Sequence, residues 1–237
     1  MNTSQSTGGD RTVRVPGVFN VRDFGSLPIS GGAVVRRGLL FRSAQLSDIE
    51  PAGTEILAGL GLRTVVDLRT HTESDSRPDR LAGTGAVLRA IPLLDMPFSD
   101  IPDSQADLYT YLTDLCTRQM AAVVKALAAP GALPGLIHCA VGKDRTGFAT
   151  GVILSLLGVP VEEIGEDFLL SNAALGLAPK LEDQPRQASG TVVGAGLLAD
   201  ALDRLREQYG SIEEYLRAGG VTDLDIESLR TALIERA

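Results

Sequence analysis

The chain has 237 residues, enough for one sizeable core or a core with a small appended subdomain. Its composition, 44% hydrophobic and 22% charged, is that of an ordinary globular protein. A formal net charge of −8 argues against nucleic acid or an anionic membrane surface as a partner, although a local basic pocket is still compatible with it. Met1–Asp10 (MNTSQSTGGD) is small and polar and has no apolar stretch of the kind a signal peptide needs, so residues 1–12 are expected to form a disordered tail. Aliphatic runs bounded by Gly, Pro or polar residues predict strands at Leu39–Phe41, Thr64–Leu68, Ala86–Pro92 and Leu136–Cys139. Pro51 suits a first helical turn, and Gly61 suits the cap after Ile56–Leu60. His71 reads as a loop residue. Asp107–Ala129 has helical apolar spacing and stops at Pro130-Gly131, which makes Cys116 a helix-face thiol. Helix is predicted at Arg145–Leu157, again after Pro160, and from Ala195 to the end. Residues 172–194 are weakly patterned and are expected to form a mobile segment over a site.

Strands alternating with helices, followed by helices alone, predict an α/β fold with a central sheet and a helical C-terminal part. No shift in composition divides the chain, so residues 13–237 are expected to form a single domain. The apolar stretch Phe148–Val161 is interrupted by Thr, Ser, Gly and Pro, which argues against a membrane span. Two cysteines, Cys116 and Cys139, do not make a disulfide framework. Both are expected to be thiols in the cytoplasm, with export without a cleaved signal left open.

The chemistry is concentrated in LIHCAVGKDRTGF, residues 136–148. A nucleotide-binding Gly-x-x-x-x-Gly-Lys-Ser/Thr loop fails at two positions: Ile137 stands where the first glycine belongs, and Asp144 where the magnesium-binding hydroxyl belongs. A zinc site fails as well, because His138 and Cys139 are adjacent and no second Cys/His cluster completes the ligand set. What remains is Cys139-x-x-x-x-x-Arg145 between a buried strand and a helix start. Five intervening residues let the backbone curl so that the N–H groups from Ala140 through Val141, Gly142, Lys143, Asp144 and Arg145 can surround an anion. The helix N-terminus adds positive field, Gly142 permits the turn, and the Arg145 guanidinium can grip two phosphate oxygens. A thiol held in that field is expected to act as an in-line nucleophile on a bound phosphate, with no metal or other cofactor.

HCAVGKDRTG resembles the signature loop of the cysteine-dependent protein tyrosine phosphatases, in the form carried by the bacterial tyrosine/lipid phosphatase family. PGVFNVRDFGSLP, RRGLLFRSAQLSDIEPAG, GLRTVVDLRT, YLTDL and YGSIEEYLRAGGV resemble that family's segments in the same order. The resemblance implies the phosphatase fold, a mostly parallel sheet flanked by helices, and hydrolysis of phosphotyrosine through a cysteinyl-phosphate. Phosphoserine/threonine and phosphoinositides are further implied substrates, with inorganic phosphate as product.

On this reading Cys139 is the nucleophile and Arg145 binds phosphate. Asp95, at the end of IPLLD, is carried over as the proton donor, with Asp144 as rival or helper. His138 orients the loop base, and Thr146 can donate to the departing sulfur. Lys143 is either a cation for a multiply phosphorylated head group or a solvated surface lysine. Asn20, Arg22, Asp23, Arg42, Ser43, Asp67 and Arg69 are expected to form a buried ion-pair frame beneath the loop. Two rivals stay open: a phosphate-binding module without turnover, and a sulfurtransferase using the same cysteine.

Overall fold

The computed structural model describes residues 11–94, 96, 100, 102, 104–177 and 192–236. Its main sheet has five strands in the order β1-β3-β6-β4-β5, where β1 is Arg22–Asp23, β3 Leu40–Ser43, β4 Thr64–Asp67, β5 Val87–Ala90 and β6 Gly135–His138. Strands β3, β6, β4 and β5 run parallel, and β1 pairs antiparallel with β3. A small second sheet pairs β2 (Val34–Val35) with β7 (Ile234–Glu235). The central strands are buried along their whole length, and each carries an apolar pair, Leu40-Phe41, Val65-Val66 or Leu136-Ile137. Successive residues point to opposite faces. Phe41, Val65 and Leu136 therefore enter the smaller cluster with Leu57 of helix α1 (Pro51–Gly59), while Leu40, Val66 and Ile137 enter the larger helical one.

The four strands predicted from sequence are all present, within about two residues at their ends. The two-residue strands β1, β2 and β7 were not foreseen, since two residues carry no periodicity. His71 is corrected: it begins helix α2 (His71–Ser76), capped by Thr70, whose hydroxyl accepts from the Glu73 N–H while Glu73 accepts from the Thr70 N–H.

The long helix expected over 107–129 is two helices, α3 (Gln105–Leu115) and α4 (Thr117–Ala128). Cys116 leaves helical geometry between them (φ −102°, ψ 17°), and its thiol turns inward to donate to the Leu93 carbonyl at 2.8 Å. It is a buried junction and not a helix-face residue. Helix α5 (Asp144–Leu157) follows β6 directly, and α6 (Val161–Ala174) begins after Pro160. Helices α7 (Ala195–Tyr209), α8 (Ile212–Ala218) and α9 (Asp223–Leu233) make the C-terminal part. Arg11, counted with the tail by sequence, is fixed by an ion pair to Asp167 at 2.7 Å. No helix among the described residues is long and apolar enough to cross a membrane.

Candidate active site

The parallel strands deliver their C-terminal ends to one edge, where the chain leaves β6 and turns at Cys139 through Lys143 into α5. Cys139 is buried. The carbonyl of Ala140 accepts from the Gln45 N–H at 3.1 Å. Asn20 Nδ2 donates to the Val141 and Gly142 carbonyls at 3.3 and 2.8 Å, and Arg42 Nη2 donates to the Gly142 carbonyl at 2.7 Å. In a trans peptide plane the following N–H points away from the carbonyl. The amides of Val141, Gly142 and Lys143 are therefore turned to the side opposite these donors. Gly142, at φ +66°, presses against the β3 exit so closely that a Cβ would lie 2.2 Å from the Ser43 carbonyl oxygen.

Beneath the loop lies a buried charge cluster. Asp167 of α6 pairs with Arg11, Arg22 and Arg42 at 2.7, 3.0 and 3.2 Å, and Arg22 also bonds Asn20 and Ser171. Burial alone would raise the Asp167 pKa, but Arg22 and Arg42 hold it down to about 2. Three guanidinium groups against one carboxylate leave net positive charge beneath the loop. Of the frame expected from sequence, Asn20, Arg22 and Arg42 belong here, and Ser43 supplies the backbone that Gly142 packs on. Asp23 instead accepts from the Gly25 and Gly38 N–H groups, each at 2.8 Å, and fixes a turn. Asp167 was not found by sequence, because nothing in a helical run marks which carboxylate turns inward.

Asp67 and Arg69 form a second, separate cluster. Arg69 bonds Asp67 at 2.7–3.0 Å and Asp79 at 2.7 Å. His138 Nε2 lies 3.2 Å from Asp79 Oδ2, and its Nδ1 is 3.2 Å from the Cys139 carbonyl oxygen. Burial pushes Asp79 up, but the His138 and Arg69 contacts outweigh it and leave its pKa lowered. His138 thus links the loop base to this cluster. The trio Asp67, Asp79 and His138 has ligand-like spacing, yet the Arg69 guanidinium already pairs with both carboxylates.

Arg145, in the first turn of α5, is gripped by Glu73: Nη1 donates to Oε2 at 2.6 Å and Nη2 to Oε1 at 2.8 Å. Burial opposes the charge on both groups, yet their pairing raises the Arg145 pKa and lowers that of Glu73. A guanidinium has five N–H donors, so others stay available to an anion. Glu73 was missed as a site residue. Its signal was the Thr70-x-x-Glu73 capping pattern, which marks a helix start but not what the carboxylate reaches.

Asp144 is 8% exposed, and burial raises its pKa against the opposing effects of Lys143, Gln105 and Arg145. Lys143 is fully buried, with Nζ 3.5 Å from Asp144 Oδ2, so the solvated-lysine reading is set aside. Thr146 is also fully buried, and its hydroxyl has no hydrogen-bond partner among the described residues. Asp95 lies outside the described residues, as does most of the 172–194 segment.

Comparison with known proteins gives a concordant picture. The model of the tyrosine phosphatase family matches residues 13–235. A tyrosine-protein phosphatase of Nostoc commune is 31% identical over 214 residues, 81% of this chain and 73% of that protein. The triple specificity protein phosphatase PtpB of Mycobacterium tuberculosis is 30% identical, covering 93% of this chain and 98% of its own length. Among solved structures, P. aeruginosa TpbA aligns with a TM-score of 0.41 at 17% identity, over 84% of this chain and 89% of that one. Since the family's pattern runs through the strand, loop and helix that carry Cys139 and Arg145, this chain belongs to the tyrosine phosphatase family, as a cysteine-based protein tyrosine phosphatase.

Proposed function

We propose that the protein hydrolyses phosphate monoesters in two steps through a cysteinyl-phosphate on Cys139, with phosphotyrosine as its main substrate. The observation that supports this reading is the turn from β6 to α5, which carries Cys139 where the chain leaves the strand and Arg145 in the first helical turn, with the Gly142 carbonyl between them held by Asn20 and Arg42. Substrate phosphate oxygens take the loop amides and the Arg145 donors that Glu73 leaves. The Cys139 sulfur attacks phosphorus opposite the ester oxygen; the S–P bond forms as the P–O bond breaks. A carboxyl proton passes to the leaving phenoxide or alkoxide. Water then attacks phosphorus and gives a proton back to the carboxylate, the S–P bond breaks, and inorganic phosphate departs. Thr146, a buried hydroxyl without another acceptor, donates to the released sulfur.

Asp144 is the proton carrier favoured here, because burial keeps its carboxyl protonated to higher pH than an exposed aspartate. Asp95 is the second candidate. The buried Lys143 adds a cation suited to a multiply phosphorylated head group, and the M. tuberculosis relative is named for triple specificity. Phosphoserine, phosphothreonine and phosphoinositides are accordingly proposed as secondary substrates. Cys139→Ser is expected to abolish hydrolysis of an aryl phosphate while phosphate and vanadate still bind. Turnover at the wild-type rate in that variant would remove the mechanism.

A further inference from the structure

The two carboxylate oxygens of Asp144 have different surroundings. Oδ2 lies 3.5 Å from Lys143 Nζ. Oδ1 accepts from Nε2 of Gln105 at 3.1 Å, a contact between residues 39 apart in sequence. Gln105 is the first residue of α3, and the helix start is fixed by Ser104, whose hydroxyl accepts from the Asp107 N–H at 3.0 Å. One turn further along the same face, Tyr109 donates its hydroxyl to the Asp144 carbonyl at 3.4 Å. Side chains one turn apart on α3 thus clasp one residue, the first by its carboxyl group and the second by its backbone. The charged and titratable groups facing Asp144 are Lys143, Arg145 and Tyr109, and burial together with the Asp144 charge keeps the Tyr109 phenol protonated.

We infer that Gln105 is a positioning residue for the proton transfer, anchoring one oxygen of Asp144 so that the other presents the proton to the substrate. An amide nitrogen donates and cannot accept, so Oδ1 serves as its acceptor, and a protonated Asp144 carries its hydrogen more readily on Oδ2, whose contact with the donor-only Lys143 ammonium is the longer of the two. Without this bond the carboxyl group can rotate and present either oxygen, and correct geometry is lost in a fraction of encounters. The inference rests on the reading of Asp144 as the acid, and the experiment separates the two.

The pH dependence of kcat/KM is measured on an alkyl phosphate, a poor leaving group, for the wild type, Gln105→Leu, Gln105→Glu and Asp144→Asn. Far-UV circular dichroism and the urea unfolding midpoint report that each variant is folded, and p-nitrophenyl phosphate, whose leaving group needs little protonation, serves as the comparison ester. The Gln105 amide favours the ionised carboxylate. Its removal in Gln105→Leu therefore moves the descending alkaline limb to higher pH. The plateau falls by about tenfold, part of the ~10²–10⁴ that a complete acid supplies. Gln105→Glu, which sets a second carboxylate beside the first, moves the limb further in the same direction. Asp144→Asn removes the limb. If the limb vanishes in Asp144→Asn but stays in place in both Gln105 variants, Asp144 is the acid and the role of Gln105 is overturned. If the limb persists in Asp144→Asn, the acid is another group and both readings fall.

Discussion

At Glu73 one side chain serves two structures at once: Oε2 accepts from the Thr70 N–H at 2.8 Å and from Arg145 Nη1 at 2.6 Å. The helix cap fixes the carboxylate, and the carboxylate fixes the Arg145 guanidinium. Glu73→Gln keeps the shape but can accept only through one oxygen. Given the strength of charge-assisted bonds, kcat/KM for an aryl phosphate is expected to fall roughly 10- to 100-fold. The inhibition constant of phosphate should rise in parallel; unchanged values for both would show that Arg145 needs no such support. Leaving-group dependence separates the two candidate acids. If Asp144 carries the proton, Asp95→Ala should slow alkyl and p-nitrophenyl phosphates alike and by little, whereas a selective loss on the alkyl ester would transfer the role to Asp95. Cys139, Asp144 and Arg145 stand out as candidates in the sequence because they are contiguous in one loop. Glu73 and Gln105 could not, since they reach the loop from 72 and 39 residues away.

Among the elements, α6 supports the loop through the buried charge cluster beneath it. Asp167 hangs from its buried face and ties together Arg22 of β1 and Arg42 of β3, and Arg42 in turn holds the Gly142 carbonyl. Removing that carboxylate leaves three guanidinium groups close together and unneutralised. Asp167→Asn is therefore expected to cost about 3–5 kcal/mol in urea unfolding. The pH dependence has a definite sign. The folded pKa, about 2, lies below the ordinary 3.8, so the contribution is complete above 3.8 and is lost as pH falls toward 2. The stability gap between wild type and variant should narrow over that window; a constant gap would mean that Asp167 acts by shape alone. The helices themselves were visible in the apolar spacing, but the break at Cys116 was not. A thiol fits a helical face as well as a junction, and only the Leu93 carbonyl 23 residues away decides between them.

For the whole molecule, alternating strand and helix patterns identified the α/β class because each central strand, buried along its length, carries a short apolar pair, Leu40-Phe41, Val65-Val66 or Leu136-Ile137. Net charge was a poorer guide. A chain at −8 overall concentrates Arg11, Arg22 and Arg42 under one loop, and the total conceals that arrangement. The fold brings the C-terminal ends of β3, β4 and β6 together, and the thiol of Cys139, the carboxyl group of Asp144 and the guanidinium of Arg145 lie on the loop and helix start that follow β6. Covalent catalysis by Cys139 is the claim on which this account stands. Its most direct test is rapid acid quench of the enzyme during turnover of an aryl phosphate, followed by peptide mass spectrometry. The account predicts a phosphoryl group on the peptide containing Cys139, formed before phosphate release and lost as turnover ends. Full turnover with no phosphoryl group on Cys139 at any time, or with the group on a different residue, would contradict it.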